Sequence, residues 1–342
     1  MTLQETLALV RPHLLALQPY SSARDEFDQS QVEQQQYVYL DANENPYDTG
    51  FNRYPDPYQR ELKEKVSAIK GISAEHIFLG NGSDEAIDVV IRLFCSEQDS
   101  VLVAAPTYGM YKVSAGINNV KLKSATLTDD FQLPADFLSN SAKVVFLCSP
   151  NNPSGNLIDV MPVLEQFKGI VVIDEAYIDF TTSASLIKQI ERYPNLVVLQ
   201  TFSKAWGLAG LRLGMAFAHP QIISLLNKIK PPYNISSATQ QLALKALQGN
   251  MQRNEWVRQI IEERGRVAGE LGKLSSVKKV FPSDANFLLV RIDHAADVYR
   301  KLITDHIVVR DRSQVTKCED CLRITIGTKQ ENDQLLNALR TL

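Results

Sequence analysis

The chain has 342 residues, of which 44% are hydrophobic and 22% charged, the composition of an ordinary globular protein long enough for a large core and for two domains. A formal net charge of -3 gives no electrostatic case for nucleic acid or for an anionic membrane surface, so any phosphate-bearing ligand must be captured locally. The four cysteines include one Cys-x-x-Cys pair, Cys318 and Cys321, but a zinc or redox site would need further ligands or a thioredoxin-like context, so no metal is expected.

Leu3, Leu7, Val10, Leu14 and Leu17 recur at helical spacing and predict an amphipathic helix broken or kinked near Pro12. No basic region precedes these residues and Arg11-Pro12 interrupts the stretch well short of signal or membrane length, which makes the cytoplasm the expected compartment. Gln18 to Gln36 is polar and glutamine-rich, an arm or linker more than core. Tyr37 to Leu40 predicts a short strand, followed by loop-like Asp41 to Pro46 and Arg53 to Pro57. A helix is predicted from Glu61 to Lys70, then a strand from Ile77 to Leu79. Gly80-Asn81-Gly82 turns that strand into a helix with Ile87, Val90, Ile91 and Phe94 on its apolar face.

Further strands are predicted at Val101 to Ala104, Lys143 to Cys148, Ile170 to Asp174, Leu196 to Thr201 and Leu213 to Ala218, with helices alternating. Continuous apolar strands in that arrangement indicate an α/β fold, a largely parallel sheet covered on both faces, with the direction of the last strand left open. After Pro231-Pro232, helices are predicted over Ser237 to Leu247 and Gln252 to Leu274. A smaller α+β region follows, with strands at Ala285 to Ile292, Ile307 to Arg310 and Leu322 to Ile326, a helix near Ala296 to Asp305, and a closing helix from Lys329. The expected organisation is an N-terminal helix and arm over 1–36, a large domain over 37–235 and a small domain over 236–342.

Chemistry gathers at the predicted strand ends. Lys204 lies just past the Leu196 to Thr201 strand, where open α/β sheets place their active residues. A lone lysine at a loop tip is usually a solvated one, but an amine that is partly desolvated or held near other cations is a nucleophile towards carbonyls. Gly80-Asn81-Gly82-Ser83-Asp84-Glu85 has Glu85 where a dinucleotide fingerprint has its third glycine, and no Walker lysine follows. It reads as a plain turn or as an anion-holding helix N-terminus. Arg212, with Ser83 and Ser203, would add a guanidinium and two hydroxyls to such a cradle.

Asp174 closes a wholly apolar strand, where an unpaired carboxylate is costly. It either caps the next helix or meets a cation such as a protonated pyridine nitrogen, and Tyr177, three residues on, could reach a second polar atom of the same ring. Asn152 follows another buried strand in an Asn-Pro turn, and Tyr108 is either a core tyrosine or a stacking face. Together they describe a ligand with an aldehyde, a ring nitrogen, a ring hydroxyl and a phosphate. Pyridoxal phosphate bound to Lys204 as a Schiff base has all four.

Pro150-Asn151-Asn152-Pro153-Ser154-Gly155, Asp174-Glu175-Ala176-Tyr177, Ser203-Lys204 and Gly210-Leu211-Arg212 resemble the fold-type I pyridoxal-phosphate aminotransferases. Within these, Pro19-Tyr20-Ser21-Ser22-Ala23-Arg24, Asp41 to Pro46, Arg53-Tyr54-Pro55 and Cys321 to Thr328 are similar to the histidinol-phosphate aminotransferase family, and the likeness runs through nearly the whole chain in order. The resemblance implies a mostly parallel seven-stranded sheet between helices in the large domain, plus a smaller α+β domain. It implies Lys204 as Schiff-base lysine and proton carrier, Asp174 on the pyridine nitrogen, Asn152 and Tyr177 on the ring hydroxyl, and Tyr108 stacked on the ring. Gly82, Ser83, Asp84, Ser203 and Arg212 would surround the cofactor phosphate. Tyr54 would reach it from the partner subunit of a homodimer. Arg310 and Arg323, with Tyr20 and Asn43, would take histidinol phosphate and glutamate or 2-oxoglutarate in turn. Threonine-phosphate decarboxylase or an aromatic aminotransferase would share the cofactor set; a nicotinamide-dependent oxidoreductase is disfavoured by the broken glycine fingerprint.

Overall fold

The computed structural model describes residues 1–19 and 38–341, so Tyr20, Tyr37 and most of the glutamine-rich arm lie outside the described residues. The N-terminal periodicity resolves into two short helices, α1 (Leu3–Leu7) and α2 (Pro12–Ala16), because Pro12 can start a helix at its first position but cannot continue one. The segment 38–40 is not a strand: Val38 and Leu40 are 82% and 88% exposed, and no ladder holds them.

After α3 (Arg60–Lys70) come β1 (Ile77–Asn81), α4 (Gly82–Phe94), β2 (Ser100–Ala105), α5 (Met110–Ile117), β3 (Lys121–Thr126), β4 (Val144–Cys148), α6 (Met161–Gln166), β5 (Ile170–Asp174), β6 (Leu196–Thr201), β7 (Leu213–Phe217) and α7 (Pro220–Ile229). The seven strands form one sheet in the order β1-β7-β6-β5-β4-β2-β3. Its seventh member is β3 rather than the expected strand at 37–40. Lys-Leu-Lys-Ser-Ala-Thr carries a weak apolar signal because it is an edge strand with little burial.

The central strands explain their own sequence. Val171 and Ile173 of β5 enter one core while Ile170 and Val172 enter the other, and Leu196/Val198 and Val197/Leu199 of β6 divide likewise. A period of two with both faces covered demands an unbroken apolar run. β2 to β6 run parallel, whereas β7 is antiparallel to both β6 and β1. Two reversals restore direction, so the C-terminal ends of β1, β4, β5 and β6 open on one edge of the sheet. The turn into α4, Asn152, Asp174 and Lys204 are thereby brought to that edge.

The remaining chain forms α8 (Ser237–Leu247), the long α9 (Asn250–Leu271) and a second, antiparallel sheet. Its strands are β8 (Val277–Val280), β9 (Phe287–Ile292), β10 (Arg310–Asp311) and β11 (Cys321–Thr325), in the order β10-β11-β9-β8. With α9, α10 (Ala295–Thr304) and α11 (Lys329–Arg340), it encloses a core of Leu271, Leu288, Val290, Leu302 and Leu336. Phe281, Leu289, Cys318 and Cys321 pack instead into the core of the large sheet. All four cysteines are buried free thiols, and burial pushes Cys318 up to about 12, which leaves it unreactive.

Candidate active site

Asp174 ends β5 at 2% exposure. Tyr111 Oη donates to its Oδ2 at 2.8 Å and the Ala176 N–H to its Oδ1 at 3.1 Å, but among the described residues no cation pairs with it. Burial raises its pKa to about 6 against the pull of those two hydrogen bonds. Tyr111 was not singled out in the sequence. It is fully buried on α5, stacked on Phe146 with ring centroids 5.0 Å apart, and no spacing in the sequence marks it.

The amide of Asn152 links the two sheets. Its Nδ2 donates to Tyr177 Oη at 3.4 Å, while Arg323 Nη1 of β11 donates to its Oδ1 at 2.5 Å. The Arg323 guanidinium lies over the Phe287 ring, 5.3 Å from its centroid, and Phe287 meets Tyr177 edge-on at 5.1 Å. Lys204 Nζ lies 5.7 Å from the Tyr177 centroid. Its side chain remains open to solvent on one side, yet its pKa is lowered, first by crowding that strips hydration, then by Arg323 and Arg212, against Asp174 and Asp84. The depression runs in the direction that favours the free amine, with Arg323 the stronger of the two cations.

At the other end of this cluster, α4 starts without a side-chain cap: Asn81 turns its Nδ2 to the Asn234 carbonyl instead. Glu85 occupies the position that broke the glycine fingerprint because its carboxylate accepts from the Asn81 N–H and from Asn234 Nδ2. The N–H groups at Gly82, Ser83 and Asp84 have no partner within the helix, although the backbone bridge from Gly82 to Leu213 of β7 engages one of the first two. Gly82 has φ +75°, and a Cβ there would lie 2.9 Å from Arg212 Nη2. Arg212, itself left-handed at φ +50°, approaches Asp84 Oδ2 at 3.3 Å, while Tyr108 Oη donates to Asp84 Oδ1 at 2.9 Å. What Asp84 has left for an anion is its N–H; its carboxylate aims Arg212 and Tyr108. Ser203 is half-buried, its N–H held by Thr201 Oγ1 at 3.1 Å.

Gly82, Ser83, Asp84, Tyr108, Asn152, Asp174, Tyr177, Ser203, Lys204, Arg212 and Arg323 thus form one neighbourhood. Arg310 joins it as the partner of Arg323 across β10 and β11. Asn43 and Tyr54 do not: they line a separate recess with Phe51 and Tyr233, and Tyr54 stacks on Tyr233 at 4.6 Å. Arg312, two residues after Arg310, is a further cation near the site that the sequence reading passed over. A buried carboxylate with no cation paired to it among the described residues, a helix start without a side-chain cap beside a guanidinium, and a lysine of lowered pKa fit the ring nitrogen, phosphate and aldehyde of pyridoxal phosphate.

This sheet, with a lysine and an aspartate at adjacent strand ends, is the fold-type I architecture, and the chain belongs to the class I and II aminotransferase family, whose model matches residues 28–339. Its relatives narrow the membership to the histidinol-phosphate aminotransferases. The histidinol-phosphate aminotransferase of Parabacteroides distasonis is 52% identical over 98% of both chains. Among solved structures, that of the histidinol-phosphate aminotransferase from Clostridium acetobutylicum superposes with a TM-score of 0.78 at 26% identity, covering 85% of this chain and 91% of that one. The histidinol-phosphate aminotransferase from Sinorhizobium meliloti, in complex with pyridoxal-5'-phosphate, gives 0.76 at 25% identity over 84% and 82%. The family sets aside a nicotinamide-dependent oxidoreductase. Among the described residues no helix is long and apolar enough to cross a membrane.

Proposed function

We propose that the protein transfers the amino group of L-histidinol phosphate to 2-oxoglutarate, giving imidazole-acetol phosphate and L-glutamate, as a cytoplasmic, pyridoxal-phosphate-dependent homodimer of histidine biosynthesis. The observation that carries the cofactor is Asp174, a carboxylate buried at a strand end with two hydrogen bonds and, among the described residues, no cation paired with it, one strand away from Lys204. The large sheet would hold the cofactor and the small sheet the substrate's anion, with the domain boundary near residue 235.

When bound, pyridoxal phosphate supplies an aldehyde for a lysine amine and a protonated ring that draws electron density from the substrate's α-carbon. Asp174, braced by Tyr111, would accept the ring N–H and keep that nitrogen protonated. Asn152 and Tyr177 would hold the ring hydroxyl, and Tyr108 one face of the ring. The N–H groups of Gly82 to Asp84, the Ser83 and Ser203 hydroxyls and Arg212 would hold the phosphate, joined by Tyr54 of the second subunit. The lowered pKa of Lys204 leaves more of it as free amine, the form able to take a proton from the α-carbon and return it. Arg323 and Arg310 would grip the substrate's anionic group, since a planar guanidinium forks onto phosphate and carboxylate alike. Asn43 would stand on the substrate side from the second subunit's recess.

Purified holoenzyme supplied with histidinol phosphate and 2-oxoglutarate should form glutamate; none formed, with threonine phosphate decarboxylated instead, overturns the reading. Borohydride reduction should fix the cofactor to the peptide carrying Lys204 and leave Lys204→Ala unlabelled. A label on another lysine in that variant would refute the role of Lys204.

A further inference from the structure

β10 sets Arg310 opposite Arg323, and the Arg312 N–H extends the pairing by donating to the Cys321 carbonyl at 2.9 Å. Side chains two residues apart on an extended segment share a face, so Arg310 and Arg312 stand together on the side that presents Arg323 to Asn152. Asp311 between them is on the other face, where its Oδ1 accepts from the Ser313 N–H at 2.8 Å. Like charges set side by side across a sheet are destabilising unless an anion joins them. Among the described residues none of the three pairs with a carboxylate: Arg323 is turned to an amide and a phenyl ring, Arg310 is exposed, and Arg312 Nε is buried with no hydrogen-bond partner. An unpartnered guanidinium N–H shielded from solvent is costly in a native structure, and it leaves Arg312 with donor capacity that no described acceptor takes up. The mutual proximity registers in their acidity as well. Burial first, then Arg323 and Arg310, lower the pKa of Arg312, while the Tyr177 phenol acts on it in the opposite sense.

Two guanidiniums suffice for a carboxylate of unit charge. A phosphate monoester carries about -1.5 to -2 charge and three acceptor oxygens, and it fills a larger site. Building on the proposed use of histidinol phosphate, we infer that Arg312 is a specificity-determining residue, whose guanidinium completes the substrate-side anion site of Arg310 and Arg323 and favours a phosphate monoester over a carboxylate. Histidinol phosphate presents its ester where glutamate presents its α-carboxylate, so the third guanidinium acts on one half-reaction more than on the other.

The test compares wild type, Arg312→Gln and Arg312→Lys as holoenzymes, in each half-reaction and in calorimetric binding of inorganic phosphate. In Arg312→Gln, kcat/KM for histidinol phosphate should fall about 10- to 100-fold, mainly through KM, from the loss of a charge-assisted hydrogen bond. The glutamate half-reaction should stay within about threefold, and phosphate binding should weaken about 10-fold. Arg312→Lys, which keeps the charge, should recover part of both. Equal losses on the two substrates, a loss confined to kcat, or unchanged phosphate binding would overturn the inference. A wild type inactive towards histidinol phosphate defeats only the proposed function, because phosphate binding by the variants still decides what Arg312 does.

Discussion

At Asp174 the needs of folding and of chemistry oppose each other. Its pKa is raised from an ordinary 3.8 to about 6 by burial, so the folded chain without cofactor binds this proton more tightly than the unfolded chain does. The contribution of Asp174 to stability therefore falls as pH rises from about 4 to 6, and above that window its buried charge costs about 2–3 kcal/mol. Asp174→Asn removes the charge and keeps the shape. Cofactor-free Asp174→Asn should be more stable than cofactor-free wild type at pH 8, and the gap in urea midpoint should close as pH is lowered through 6 towards 4. Activity should move the other way, with kcat down at least about 100-fold, because a neutral amide cannot hold a protonated ring nitrogen. Equal stabilities at pH 8 would mean that the carboxylate has found a cation within the chain. The residue's strand-end position was legible from Val-Val-Ile-Asp, since a carboxylate closing an apolar run needs a partner. Tyr111 was not, because a buried tyrosine in a helix looks the same whether its hydroxyl meets a carboxylate or a backbone carbonyl.

Among the elements, the start of α4 has little room to move. Gly214 of β7 lies so close beneath it that a Cβ would sit 2.2 Å from the Ser83 nitrogen and 2.3 Å from the Gly82 carbonyl carbon. Those atoms are backbone and cannot rotate away, so Gly214→Ala must displace the helix start or the strand, an overpacking that costs about 1–3 kcal/mol. The first-turn N–H groups move with it. Gly214→Ala should weaken pyridoxal-phosphate binding by about 10-fold in spectroscopic titration and lower the melting temperature. Gly210→Ala is the matched control, since a Cβ there meets nothing within 4 Å, and it should change neither. If both variants bind cofactor like wild type, the close approach of β7 does not position the helix. The strands buried on both faces were readable for the same reason that β3 and β8 were not. β4, β5 and β6 are unbroken apolar runs, whereas Lys121–Thr126 and Val277–Val280 are edge strands of mixed polarity with most side chains at least partly exposed. The reverse error at 38–40 has the same root, because Val38 and Leu40 supply strand-like residues without a neighbouring strand to pair them. Arg312 was passed over because alternation along a two-residue strand is too short a pattern to stand out.

For the molecule as a whole, two of the expected contacts fall away from the Lys204 neighbourhood in a single chain. Asn43 and Tyr54 share a recess with Phe51 and Tyr233, and Val38, Leu40, Tyr47, Phe51 and Tyr54 all have exposed apolar side chains. A second copy related by a two-fold axis would cover these side chains and carry Tyr54 to the other subunit's phosphate cradle, making each site from two chains. Composite sites have a signature that no single-chain site shares. In a heterodimer of Lys204→Ala and Tyr54→Ala subunits, one site carries both defects and the other carries neither. Co-refolding the two variants in equal amounts should therefore restore roughly a quarter of wild-type sites by random pairing, against little activity in either variant alone. Sedimentation should show a dimer at assay concentration. If mixing restores nothing while heterodimers form, Tyr54 serves the subunit that carries it, and the recess it lines is not half of a shared site.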